Sequence, residues 1–299
     1  MGAGGMLMYE LINARGRSWY VDCPARMGLY QLDKSRVCLI DSGTGKDAAK
    51  KVEKILKEKG WSLACIVNTH SHADHIGGNQ RLQQSTGCRV FAAGAEAAVT
   101  RQPILEPTLL YGGYPPGELR HKFLMAAESR ALDISDPDFP EALTPVPLPG
   151  HSLNMIGIRT PDDVLYIADS LCSQATLQKY RLCYLYDPGA HFKTLDALEK
   201  MEAALFVPSH APVCEDIRDM VRANRDSLQE ILRDILGLLE APRGFEELLA
   251  EVFSLYGLAM TYEQHALVGS TLRSCLAWLW DEGKAEGYLE NNRLVFRRT

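Results

Sequence analysis

Residues 69–75 read Thr-His-Ser-His-Ala-Asp-His, placing His70, His72, Asp74 and His75 within six consecutive positions. In 299 residues with eight histidines, a His-x-His-x-Asp-His string arises by chance on the order of a few times in ten thousand sequences. It follows a wholly apolar run at 63–67, which reads as a buried strand. Ionisable groups so close to a core are costly unless they are paired or bind a cation. Neutral imidazole and carboxylate are ligands that zinc accepts, and no thiolate stands among them. A helix opening at Asp74 and His75 would also set its positive end against the carboxylate.

One loop cannot close a metal site, so the fold must deliver further ligands. Three residues stand in the same context. His151 follows a short apolar run at 146–148 and a Pro-Gly turn, Asp169 ends the run at 164–168, and His210 ends Leu205-Phe-Val-Pro-Ser. Either histidine alone is as readily a satisfied structural residue as a ligand. Four stretches in one pattern imply convergence at one edge of a sheet core.

Along the chain, strands are expected at 7–12, 19–21, 29–32, 37–40, 63–67 and 89–92. Helices are expected at 46–59, closed by Gly60, and at 77–84. Residues 93–141 carry several prolines and Tyr111-Gly-Gly-Tyr around two expected helices, and read as an insertion of helices and loops without sheet. Strands return at 146–148, 155–159, 164–167 and 204–207, with a helix over 192–201. After Pro212 the pattern turns helical: Ile217, Val221, Leu228, Ile231, Leu232 and Ile235 trace one amphipathic helix. Helices over 245–256 and around 267–279 follow, then a hairpin about Asn291-Asn292. Residues 1–212 are expected to form the catalytic domain and 213–299 a helical, winged-helix-like C-terminal domain.

A net charge of −6 disfavours nucleic-acid or anionic-membrane partners held by bulk electrostatics, although a local basic groove stays open. The eight cysteines are scattered without a Cys-x-x-Cys. With no secretory signal or membrane-spanning run, they read as reduced thiols of a cytoplasmic protein.

In the order and spacing of Asp41, His70 to His75, Gly77-Gly78-Asn79, His151, Asp169 and His210, the chain resembles the metallo-β-lactamase superfamily over about residues 6 to 212. The resemblance implies an α/β fold, the αββα sandwich: two mixed sheets face to face, helices outside, metals at one rim. A small, mainly helical C-terminal domain is appended. It implies that His70, His72 and His151 hold one metal, that Asp74, His75 and His210 hold another, and that Asp169 bridges them. Asp41 would orient the motif loop without ligating, and Asp74 would also act catalytically as a proton relay. Asp169 stands where class B1 β-lactamases carry cysteine, and His72 where flavodiiron proteins carry glutamate. These departures argue against antibiotic hydrolysis as the native role and against a redox di-iron site.

The cofactor set implied is two Zn2+, with Fe or Mn as other occupants. Such a pair would bring a bridging water's pKa toward about 7, giving a hydroxide that attacks an ester, thioester or lactone. The alternatives are an endoribonuclease or phosphodiesterase of the same superfamily, resembling the β-lactamase-like protein 2 group in its C-terminal appendage, and a mononuclear iron oxygenase resembling persulfide dioxygenases. Residues 212–299 carry 15 acidic and 10 basic side chains, a poor nucleic-acid footprint. That module is expected to pack on the core or on a second copy in a homodimer. The partner expected is a small-molecule substrate, selected by the 93–141 segment with Tyr111, Tyr114, Arg120 and His121 as candidates. Cys172 and Cys214 read as structural thiols, and His191 and His265 as surface or satisfied helix residues.

Overall fold

In the computed structural model, which describes residues 9–299, the N-terminal strands line up in chain order as one seven-stranded sheet. The first two residues of the strand expected at 7–12 lie outside the described residues. Strands β1 (Glu10–Arg15), β2 (Ser18–Asp22), β3 (Met27–Gln31) and β4 (Arg36–Ile40) form an antiparallel meander. The sheet then turns parallel, which demands crossover connections. Helix α1 (Gly45–Lys59) supplies the first, burying Ala48, Ala49, Val52, Ile55 and Leu56 before β5 (Ser62–Val67). Gly60 ends it at φ +68, and the Trp61 N–H returns to the Leu56 carbonyl at 2.9 Å.

The helix expected at 77–84 is α3 (Asn79–Thr86), and the one expected to open at Asp74 and His75 is a separate single turn, α2 (Ala73–Ile76), broken from it at Gly77-Gly78. A Cβ on Gly77 would lie 2.2 Å from the Gly45 nitrogen, and one on Gly78 2.4 Å from the Ser42 oxygen. The break is therefore a site of backbone contact that glycine alone permits. Strand β6 (Arg89–Ala92), α4 (Gly94–Arg101) and α5 (Leu105–Tyr111) follow. Residues 93–141, expected from sequence to carry no sheet, do contribute one strand: Ala131–Asp133 is β7, pairing parallel with β6 at the sheet's edge. Three residues are too few to show a period.

The second sheet has the order β11-β10-β9-β8. It is built from β8 (Thr144–Pro147), β9 (Ile156–Arg159), β10 (Val164–Ala168) and β11 (Leu205–Pro208), with α6 (Gln174–Tyr180) and α7 (Pro188–Leu198) between the last two. Both sheets are mixed. Tyr30, Cys38, Ile40, Val67 and Phe91 of the first meet Ile156, Ile158, Tyr166 and Val207 of the second. The Tyr166 hydroxyl donates to the Trp19 carbonyl at 2.7 Å, satisfying its polar end. Helices α1 and α4 cover the outer face of the first sheet, and α7 that of the second, giving four layers, αββα.

The C-terminal segment comprises α8 (Arg218–Leu238), β12 (Arg243–Gly244), α9 (Phe245–Tyr256), α10 (Tyr262–Asp281), β13 (Ala285–Glu290) and β14 (Arg293–Arg298). The hairpin turns on Asn291 and Asn292, both left-handed (φ 49° and 60°), the conformation a two-residue turn requires. Its short third strand, β12, is too brief to read from sequence. Ile217 and Val221, at the start of α8, pack on the sandwich, whereas Leu228, Ile231 and Ile235 join the C-terminal cluster, which also takes in Leu182 and Leu185. The apolar clusters thus part within α8 and not at residue 212. No helix among the described residues is long and apolar enough to cross a membrane.

Candidate metal centre

The motif loop leaves β5 and is shaped by Asp41 at the end of β4. Asp41 sits at φ +61, a conformation that aspartate tolerates better than most residues. Its carboxylate accepts from the Thr69 N–H at 2.8 Å and the Thr69 hydroxyl at 2.7 Å, and lies 2.9 Å from His75 Nδ1. His75 thus turns its Nε2 away from Asp41. Asp41 ties the end of β4 to the root of the motif loop and to His75.

The other residues arrive from the second sheet. Asp169 follows Ala168, which is held at φ +50 at the end of β10. His151 sits beside Gly150, whose φ of +124 and close approach to His191 (a Cβ would lie 2.5 Å from the His191 nitrogen) exclude other residues. His210 follows β11, with Nδ1 2.8 Å from the Pro24 carbonyl. Strained backbone beside functional groups persists when surrounding packing over-determines it.

The structure brings all seven expected ligand residues together. His72 Nδ1 lies 3.0 Å from both His70 Nε2 and His151 Nε2. Asp74 Oδ2 lies 3.2 Å from His210 Nε2, and Asp74 Oδ1 3.7 Å from His75 Nε2. Asp169 spans the two groups: one oxygen is 3.2 Å from His75 Nε2, the other 3.3 Å from His210 Nε2 and 3.5 Å from His151 Nε2. A tetrahedral zinc with bonds of about 2.0–2.1 Å sets its ligand atoms about 3.3 Å apart. The spacings approach that value. His75 Nε2 and Asp169 Oδ1 are buried without a hydrogen-bond partner, the state of atoms that a cation would satisfy. The donor set, nitrogen and oxygen without thiolate, suits zinc, iron or manganese.

Electrostatics divide the imidazoles. Burial holds His72 and His151 down to about 4, so both keep free lone pairs at neutral pH. The Asp169 carboxylate raises His210 to about 10. Burial alone would lift Asp74, but His75 and His210 outweigh it and hold the carboxyl near 2. Without a cation, protonated imidazoles balance the carboxylates.

A cleft of about 1200 Å3 opens from His151, Asp169 and His210. Its walls come from the loop around α6 and from Gln264 and Leu267 of α10. The structure does not bring Tyr111, Tyr114, Arg120 or His121 to this cleft. Tyr111 and Tyr114 are exposed, the Arg120 guanidinium donates to the Tyr114 hydroxyl at 2.9 Å, and His121 pairs with Glu263 at 3.0 Å. Their segment packs against α10 instead, through Leu110, Leu119 and Leu124 on Ala266. Sequence reasoning passed over Tyr184, whose ring stands edge-on to His72 and His151 at 5.1 and 5.6 Å between centroids; no spacing pattern marks it. Cys172 and Cys214 are half-buried on the cleft wall. The neighbouring Cys183 thiol and burial push Cys172 up, so it stays a thiol, in keeping with a structural role. His265 lies 3.2 Å from Glu246, but His191 is neither exposed nor satisfied: it is buried, with Nδ1 unpartnered.

The model of a family described as the metallo-beta-lactamase superfamily matches residues 21–210. Among curated proteins, a hydroxyacylglutathione hydrolase of Cereibacter sphaeroides is 33% identical over 138 residues, covering 44% of this chain and 45% of that protein. One of Rhodobacter capsulatus is 31% identical over 167 residues, 56% of this chain and 52% of that protein. The chain thus spans about half the length of these relatives. Among solved structures, a beta-lactamase domain protein from Burkholderia ambifaria superposes with a TM-score of 0.74 at 15% identity, covering 99% of this chain and 96% of that one. A metallo-beta-lactamase family protein of Thermus thermophilus gives 0.70 at 20%, covering 97% and 98%. The subclass B3 metallo-beta-lactamase of Bradyrhizobium japonicum gives 0.56 at 15% and covers 76% of this chain and 94% of its own.

Proposed function

This chain belongs to the metallo-β-lactamase superfamily, and we propose that it is a hydrolase of an acyl thioester that works with two divalent cations, zinc foremost. The observation that carries the reading is the pair of ligand groups joined by Asp169: His70, His72 and His151 on one side, and Asp74, His75 and His210 on the other. The relatives named hydroxyacylglutathione hydrolases support the choice of thioester, since the substrate in their name is an acyl thioester.

The cations, when bound, would supply an activated water and polarise the electrophilic carbonyl. The protein's own residues do the rest. Asp74, its side chain 36% exposed and its Oδ2 3.2 Å from His210 Nε2, stands as the proton acceptor and relay. The Pro24 carbonyl, 2.8 Å from Nδ1, keeps His210 from rotating away. Tyr184 shields the His72 and His151 imidazoles from bulk water. Leu171, Leu182, Met220 and Leu267 line the cleft beyond the ligands and suit an apolar acyl group. Leu267 lies on α10, so the C-terminal segment shapes the substrate site.

The test is metal analysis of protein purified without added metal, coupled to a screen of thioester, ester, lactone and phosphodiester substrates. Two zincs per chain and thioester cleavage that a chelator abolishes and zinc restores are the expected results. One iron per chain with oxygen uptake on persulfides would move the assignment to the mononuclear oxygenase. RNA cleavage that fades as salt rises would move it to the nuclease.

A further inference from the structure

One buried carboxylate near the centre has no part in the ligand set. Glu96, in the first turn of α4, is fully buried. One of its oxygens accepts from the Ser71 N–H at 2.9 Å and the Ser71 hydroxyl at 2.5 Å. The other accepts from the Ser152 hydroxyl at 2.7 Å and the Asn154 N–H at 2.8 Å. Ser71 lies between His70 and His72, and Ser152 directly follows His151. A single side chain therefore grips the backbones of two loops whose imidazoles, His72 and His151, stand 79 positions apart in sequence and 3.0 Å apart in space.

The tie is reciprocal. The Asn154 side-chain oxygen accepts from the Ala95 N–H at 3.0 Å, locking the 150–155 loop to the start of α4. Gly94, at φ +49, leaves room for it, since a Cβ there would lie 2.9 Å from that oxygen. The backbones of the two loop regions also meet directly, the Ile156 N–H donating to the Thr69 carbonyl at 3.0 Å. Asp41 offers a contrast. Its partners are Thr69 and His75, so it serves the root of the motif loop and the ligand group of Asp74, His75 and His210. The Glu96 carboxylate hydrogen-bonds to Ser71, Ser152 and Asn154 and to none of those three residues.

We propose that Glu96 is a positioning residue for one cation alone: it fixes the triangle of His70, His72 and His151 without touching the ion. The inference rests on the two-cation reading of the centre. Outer hydrogen-bond partners of metal ligands commonly change metal affinity by about 10–100-fold when lost. Glu96 should do so for one site of two. Glu96→Gln keeps the volume but sets an amide NH2 against a donor-only N–H of Ser71 or Asn154. Ser152→Ala removes a single donor and is the milder variant.

Metal-free wild type, Glu96→Gln and Ser152→Ala should be titrated with Co2+, following the visible absorption of the bound ion and competition with a chelator, with melting of each metal-free protein alongside. Two ions are expected in the wild type. In Glu96→Gln one of them should bind about 10–100-fold more weakly, with the other unmoved, and Ser152→Ala should shift the same ion less. In a His210→Ala background, adding Glu96→Gln should remove the cobalt spectrum that remains. Equal weakening of both ions would make Glu96 a general structural residue and overturn the proposal, as would unchanged binding of both. A Glu96→Gln chain too unstable to titrate leaves Ser152→Ala to decide, and an unmoved first ion there overturns it too. A wild type that binds no cobalt defeats the two-cation reading itself, and this inference with it.

Discussion

The metal rim and the C-terminal segment of this protein are organised by opposite means. At the rim, ionisable side chains are buried and the backbone is bent to suit them: Asp41 and Ala168 are left-handed, and Gly150 adopts a φ closed to other residues. Its order comes from hydrogen bonds between parts of the chain far apart in sequence. The C-terminal segment holds together by apolar contact among α8, α9 and α10, with Leu248, Leu272, Cys275 and Leu279 almost wholly buried, and it leaves its charges in water. The difference shows where each region is vulnerable. The rim should fail in function when one polar atom moves, and the helical segment should fail in stability when volume is lost. The two meet at the cleft, where α10 lends Gln264 and Leu267 and α8 lends Met220.

The sharpest way to break this contrast is at the ligands. His72→Ala and Asp169→Ala should each lower thioester turnover by more than about 100-fold, beyond what the loss of a supporting hydrogen bond costs. Circular dichroism and melting of the metal-free chains should change little. Retained turnover in both would remove the centre from catalysis. Leu272→Ala should do the reverse: unfolding in urea should show a loss of about 2–5 kcal/mol, while bound metal per folded chain stays as in the wild type. Metal loss in step with stability would mean that the regions are one cooperative unit.

A third test concerns pH and the metal-free protein. Burial depresses His191 to about 4, against about 6.5 for a free imidazole. Between those values the unfolded chain takes up a proton that the folded chain refuses, so stability falls as pH falls through that window. His191→Gln should make the decline shallower by one proton, on the order of 1 kcal/mol per pH unit. An unaltered slope in chemical denaturation would show that the imidazole is not neutral in the fold. The smallest expected effect sharpens the junction of the two regions. If the cleft takes an apolar acyl chain, kcat/KM should rise about fourfold per added methylene until the space fills. Leu267→Asp should flatten that series without slowing the shortest thioester. A flat series in the wild type would separate α10 from substrate selection.

Much of the catalytic part was legible in the sequence because its signals are local. An apolar run ending in a residue of ligand type marks a strand end, and His70 to His75, His151, Asp169 and His210 all follow that rule. The amphipathic stripe of α1 and the Asn-Asn hairpin were read for the same reason. What escaped was short or distant. Strand β7 has three residues, β12 has two, and α6 buries none of its side chains, so none carries a period to detect. Tyr111, Tyr114, Arg120 and His121 drew attention as loop residues between ligand motifs, but their segment packs on α10, a contact that no local pattern announces.

The residue string is enough to read the chemistry on offer: which imidazoles and carboxylates exist, that strands deliver them, and what class of ion they suit. How those groups pair, which residues wall the cleft, and that Glu96 joins the loops of His72 and His151 came from the folded arrangement alone. The physical reason is range. Strand and helix signals act over a few residues, whereas a hydrogen bond between buried groups depends on where two remote backbones come to rest.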